Sequence, residues 1–126
     1  LWSEKEPQLR VITTDAIAEA AAAKPAMLFS SAVMLHVHPD ALSDYVHNIL
    51  TIIGTNGQAV IDAHLHDGET IQFSGRSWAH SAPRFRELVI EHGGRIDILH
   101  ETDFPLEEFG KTAKRCSLRI VRNAAR

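Results

Sequence analysis

A repeated exchange between two hydrophobic periods, one of strands and one of helices, limits the fold more than any other feature of this chain. Residues 9–14 (LRVITT) are short, β-branched and partly alternating, which predicts a strand. Residues 16–23 are mostly alanine, preceded by Asp15 and closed by Pro25, which predicts a helix. Residues 26–33 (AMLFSSAV) form a largely apolar run of strand length, suited to a strand covered on both faces in a parallel sheet. The clearest helix spans 39–53. Pro39 fits a first turn, and Leu42, Tyr45, Val46, Ile49, Leu50 and Ile53 recur at three- and four-residue spacing before Gly54. Asn56-Gly57 then signals a turn into a strand at 58–65 (QAVIDAHL). Residues 66–80 are polar and turn-rich and read as a loop. A helix follows from Ser81-Ala82-Pro83, with Phe85, Leu88 and Val89 inward and a stop at Gly93-Gly94. Residues 95–100 (RIDILH) and 116–122 (CSLRIVR) alternate as strands, with a long charged connection expected at 101–115.

This order predicts an α/β fold: a Rossmann-like three-layer sandwich whose mainly parallel sheet carries helices on both faces. An antiparallel pair is expected at the carboxyl-terminal edge. The 126 residues suffice for one domain with a real core and not for two. Thirteen basic against 16 acidic residues give a net charge of -3, which argues against a nucleic-acid or anionic-membrane binder. No apolar run approaches the roughly 18 residues of a membrane span. The one cysteine, Cys116, leaves no internal disulfide and fits a reducing compartment, and no secretory leader pattern opens the sequence. The expected location is therefore cytoplasmic. The first residue is Leu1 and the methionines stand at 27 and 34, so the chain is expected to be part of a longer polypeptide.

Several of these pieces together resemble the middle of class I S-adenosylmethionine-dependent methyltransferases. They are Asp15-Ala16 at a strand end, Ser31-Ala32-Val33-Met34-Leu35-His36 after a buried strand, the helix at 39–53, and Asn56-Gly57 leading into Ala59-Val60-Ile61. RFRELVIEHGGRIDILHETD and CSLRIV look like the family's last helix and closing antiparallel strands, so the likeness covers about residues 9–126. It implies a cofactor, S-adenosylmethionine, at the carboxyl ends of the strands, where open α/β sheets hold ligands. Asp15 would then face the adenine amino group with Ala16 beside it, and Ser30, Ser31 and Ala32 would line the cofactor's middle. The substrate would be a small-molecule acceptor. Read without the family, Asp15 is a helix N-cap and Ser30-Ser31 are strand-end hydroxyls bonding backbone.

The sequence departs from the family in one respect that bears on cofactor binding. Its glycines stand at 54, 57, 68, 75, 93, 94 and 110, so no Gly-x-Gly loop is present, and Ala26 occupies a position usually held by Asp. An upstream segment or a partner chain completing the sheet would supply the missing half; otherwise the chain is a non-catalytic methyltransferase-like subunit.

Eight histidines include two close pairs. His36, just after the buried strand, is a candidate base for the acceptor's proton, a task suited to an imidazole near neutral pH. The bland alternative is a packed His36 with His38 as an N-cap. His64 and His66, with Glu69, are similar to the first metal motif of the cupins, although the spacing is off and the predicted helices contradict an all-β barrel. No metal site is therefore assigned, and a cupin-like metal-binding enzyme built on His64, His66 and Glu69 stands as a lesser alternative to the methyltransferase reading. Trp78, with Arg76, Phe73 and His80, would sit in a loop able to cover a polar aromatic or carboxylate substrate. Cys116 is read as a core residue.

Overall fold

The computed structural model of the chain describes residues 17–123. The strand expected at 9–14, together with Asp15 and Ala16, lies outside them. The order is α1 (Ile17–Ala22), β1 (Met27–Ser30), two single 3-10 turns (Met34–His36 and Pro39–Ala41) and α2 (Leu42–Ile53). It continues through β2 (Gln58–His66), β3 (Ile71–Phe73), β4 (Ser77–Ser81), α3 (Ala82–Glu91), β5 (Gly94–Leu106), a 3-10 turn (Glu107–Phe109) and β6 (Lys111–Arg122).

The apolar stripe of α2 buries Leu42, Val46, Ile49, Leu50 and Ile53, as its spacing predicts. Gly54 ends the helix at φ +59°, donating its N–H to the Leu50 carbonyl. Gly57 then brings the chain hard against itself. A Cβ there would lie 2.5 Å from the Ile53 carbonyl oxygen and 2.6 Å from that of Pro25. On α3, Ser81 caps the helix by accepting from the Arg84 N–H, and Phe85, Leu88 and Val89 point inward. These two helices cover the sheet face formed by Ala59, Ile61, Ala63 and Leu65 of β2 with Cys116, Leu118 and Ile120 of β6. Helix α1 packs against α2.

β2 is the central strand. One edge pairs antiparallel with β6, from Gln58↔Val121 to Leu65↔Lys114. The other edge is shared by two strands in tandem: β1, parallel from Met27↔Gln58 to Ser30↔Ile61, and β4, parallel at Leu65↔His80 and His66↔Ser81. β3 joins β4, and β5 joins β6, both antiparallel.

Five expectations need correction. Among the described residues the sheet is mixed rather than mainly parallel, because β6 runs antiparallel to both β2 and β5, and β3 to β4. Residues 101–115 form no loose connection. They extend β5 and β6 into one hairpin, paired from Gly94↔Arg122 to Leu106↔Lys111 and turned at Gly110 in the left-handed region. The expected loop at 66–80 contains β3 and β4. The run at 26–33 is not covered on both faces: Met27 is 40% and Phe29 68% exposed, because the outer face of β1 carries no helix among the described residues. For the same reason the described residues build two layers rather than three.

Candidate functional site

Strand β1 ends beside the middle of its parallel neighbour β2, at Ser30↔Ile61, while β2 runs on to His66, and the residues at that junction carry a polar network. Ser30 Oγ and the Tyr45 hydroxyl share a hydrogen bond of 3.0 Å, tying the end of β1 to α2. Burial raises the Tyr45 pKa above its ordinary value, so the phenol stays protonated. Ser31 Oγ donates to Asp62 Oδ2 at 2.9 Å, and Ser117 Oγ donates to Asp62 Oδ1 at 3.5 Å. Asp62, in the middle of β2, thus links the residue after β1 to the middle of β6 on the sheet face opposite the helices. Alternation explains its place: it is out of phase with Ile61 and Ala63, which are buried.

Beyond Ser31 the chain reverses. Ala32 takes φ +57°, a left-handed conformation that costs a residue with a Cβ roughly 1–3 kcal/mol. The reversal feeds the turn Met34–His36, in which Met34 is fully buried and His36 exposed. The β3–β4 hairpin lies against this turn. The Arg76 carbonyl oxygen is 3.3 Å from His36 Nδ1, and the Trp78 ring meets the His38 ring edge-on at 5.2 Å between centroids. His80, fully buried, places Nε2 3.0 Å from the Met34 carbonyl oxygen. Burial holds the His80 pKa below its ordinary value and outweighs the backbone bonds that act the other way. His38 caps the turn Pro39–Ala41 by accepting the Asp40 N–H at 3.0 Å.

The structure places Ser30, Ser31, Ala32 and His36 at the carboxyl end of β1 and in the turn that follows, and leaves His64 and His66 apart in environment. His64 is 8% exposed, with Phe104 at 4.6 Å and Phe73 at 6.0 Å between ring centroids. Burial first, and the nearby Arg115 charge second, lower its pKa. His66 turns its Nδ1 onto its own turn, between the Gly68 N–H and the Glu69 carbonyl. Among the described residues no group of three or more His, Cys, Asp or Glu side chains gathers as a metal site.

Asp62, Tyr45 and Ser117 were not legible as site residues. One acid within an apolar strand is the only trace of Asp62 in the sequence. Arg76, Trp78 and His80, from the segment expected to be able to cover a substrate, contact His36, His38 and the Met34 carbonyl from β4 and the residue before it. No helix among the described residues is long and apolar enough to cross a membrane.

No protein-family model matches the chain, and no curated protein matches it. Solved structures do. One is the 1,6-didemethyltoxoflavin-N1-methyltransferase of Burkholderia thailandensis, with bound 1,6-didemethyltoxoflavin and S-adenosylhomocysteine. It is 17% identical at a TM-score of 0.51, over 81% of this chain and 45% of that one. Another is the O-methyltransferase of a trans-AT PKS multienzyme of Brevibacillus brevis in complex with S-adenosyl-L-homocysteine. It is 12% identical at a TM-score of 0.59, over 78% of this chain and 44% of that one. The chain therefore has a class I methyltransferase-like fold and spans less than half the length of these enzymes.

Proposed function

We propose that this chain is part of an S-adenosylmethionine-dependent methyltransferase acting on a small-molecule acceptor. The observation that carries the reading is the placement of Ser30, Ser31, Ala32 and His36 at and just beyond the carboxyl end of β1, a strand parallel to β2, in a fold shared with two enzymes bound to S-adenosylhomocysteine.

The chemistry of this end of the sheet fits the cofactor in part. A sulfonium is cationic, and the Asp62 carboxylate stands within 2.9 Å of Ser31 to favour a positive charge. The Ser30 and Ser31 hydroxyls are already engaged by Tyr45 and Asp62, so backbone groups of the exposed stretch Ser31 to Val33 are left to line the ligand. Asp15 and Ala16 are assigned to the adenine. The glycine loop that would cradle the remainder is absent from this sequence, and an upstream segment or a partner chain is assigned to supply it. When bound, the cofactor supplies a methyl group activated on sulfur. His36 accepts the proton that an O–H or N–H acceptor loses on methylation, and the rest of the rate comes from orientation.

Calorimetry with S-adenosylmethionine, on the 126-residue chain and on a longer reading frame that includes it, tests this. Binding by the longer form supports the proposal; no binding by either form refutes it. In a form that binds, His36→Ala should lower turnover roughly 10²–10⁴-fold while cofactor affinity holds. Unchanged turnover removes His36 as the base.

A further inference from the structure

The β3–β4 hairpin does more than border the site. The side chains of Trp78 and His80, two apart on β4, reach His38 and the Met34 carbonyl, and the backbone carbonyl of Arg76, just before the strand, reaches His36. The tip of the hairpin is itself well fixed. The Arg76 N–H donates to the Ser74 carbonyl at 2.8 Å, and Gln72 Nε2 donates to the Gly75 carbonyl at 2.8 Å. Ser74 and Gly75 are both left-handed, at φ +50° and +72°.

We propose that this hairpin sets the tautomer of His36, with the Arg76 backbone carbonyl as the group that does so. A carbonyl oxygen only accepts, so the ring nitrogen facing it must carry the hydrogen. His36 therefore holds its proton on Nδ1, and Nε2 presents a bare lone pair. An imidazole free in water favours the opposite form, with the proton on Nε2 and no lone pair there. The contact thus selects the form able to take a proton at the outer nitrogen. When Nε2 accepts the acceptor's proton, the ring becomes an imidazolium and its Nδ1–H stays on the Arg76 oxygen, where the bond strengthens with the charge. The acceptor keeps the electron pair of the broken O–H or N–H bond.

His80 is the positioning residue for this arrangement. Its Nε2 faces the Met34 carbonyl and must carry the hydrogen; it locks the start of the turn against β4 while Arg76 meets its end. His38 has the same tautomer as His80 for a different reason. Its Nδ1 accepts the Asp40 N–H, which leaves the hydrogen on Nε2. His36 is thus the one of these three whose outward nitrogen is free to accept.

The use of this tautomer rests on the reading of His36 as a base, but its existence is measurable without catalysis. Long-range ¹⁵N–¹H correlation spectra of the labelled 126-residue chain, with His36 assigned by its loss in His36→Gln, identify the protonated nitrogen directly. The expected result is a neutral His36 with the hydrogen on Nδ1. A neutral ring with the hydrogen on Nε2 overturns the proposal, whatever the outcome of cofactor binding. A second comparison separates positioning from mere presence. His80→Ala should shift His36 toward the free-imidazole form. His80→Gln, whose amide can donate from near the Nε2 position, should restore the Nδ1–H form. If folded His80→Ala keeps the wild-type tautomer, His80 has no positioning role.

Discussion

Replacing His80 by Gln should change the pH dependence of stability by a calculable amount. In the folded chain the His80 ring is fully buried, its Nε2–H is on the Met34 carbonyl, and Nδ1 has no partner among the described residues. A second proton would put a charge and an unpaired donor in the interior, so the folded pKa lies below the value of 6.5 that holds in the unfolded chain. Above pH 6.5 both states hold the neutral ring and nothing is lost. As pH falls below that value, the unfolded state binds a proton the folded state refuses. Stability then declines, by at most about 1.4 kcal/mol per pH unit, until the folded ring titrates too. His64, also depressed by burial, adds a similar slope, so the two together reach about 2.7 kcal/mol per unit where both act. Against a domain stability of roughly 5–15 kcal/mol, one or two pH units matter. Urea unfolding of wild type and His80→Gln between pH 5 and 7.5 measures the effect. The variant keeps a donor for Met34 and cannot titrate, so its profile should be shallower below pH 6.5, by up to about 1.4 kcal/mol per unit. Parallel profiles would refute the buried, neutral assignment of His80.

Two other outcomes follow from the packing. Gly57→Ala should destabilise the chain by roughly 1–3 kcal/mol in urea unfolding, because the added Cβ meets two backbone carbonyls and no flexible side chain that could yield. Cys116 is 3% exposed and its thiol pKa is raised chiefly by burial, so native protein should react with iodoacetamide far more slowly than urea-unfolded protein. Equal rates would place the thiol outside the core.

The helices were legible because their signals are local. The stripe from Leu42 to Ile53, the Gly54 stop and the Ser81-Ala82-Pro83 start each lie within one element, and α2 and α3 follow them closely. Cys116, Leu118 and Ile120 likewise alternated inward as read. The hairpins were less legible. From Glu101 to Arg115 the residues are largely charged and exposed because the paired strands run beyond the helices that cover the core, so no apolar alternation announces them. β3 and β4 are short and interrupted by Ser74-Gly75, which reads as a turn and is one, but the pairing on either side leaves little trace. The covering of β1 was overread because an apolar run reports composition and not what lies above it. At the site, the position of His36 was readable from its place after β1. Its Arg76 partner was not, since a backbone carbonyl carries no residue identity.

The span of the contacts sets the order in which the chain can assemble. β5 and β6 pair across a turn of a few residues, so that hairpin closes cheaply and early. The bonds at the candidate site join partners 31 residues apart for Ser31–Asp62, 40 for His36–Arg76, 46 for Met34–His80 and 55 for Asp62–Ser117. Each needs a large loop closed first, and three of them hang on the short strand β1 and the turns beside it. Hydrogen exchange should therefore find the amides around β1 and the turns after it opening more readily than those of the β5–β6 hairpin, so that the site loses its geometry by local unfolding while that hairpin stays paired.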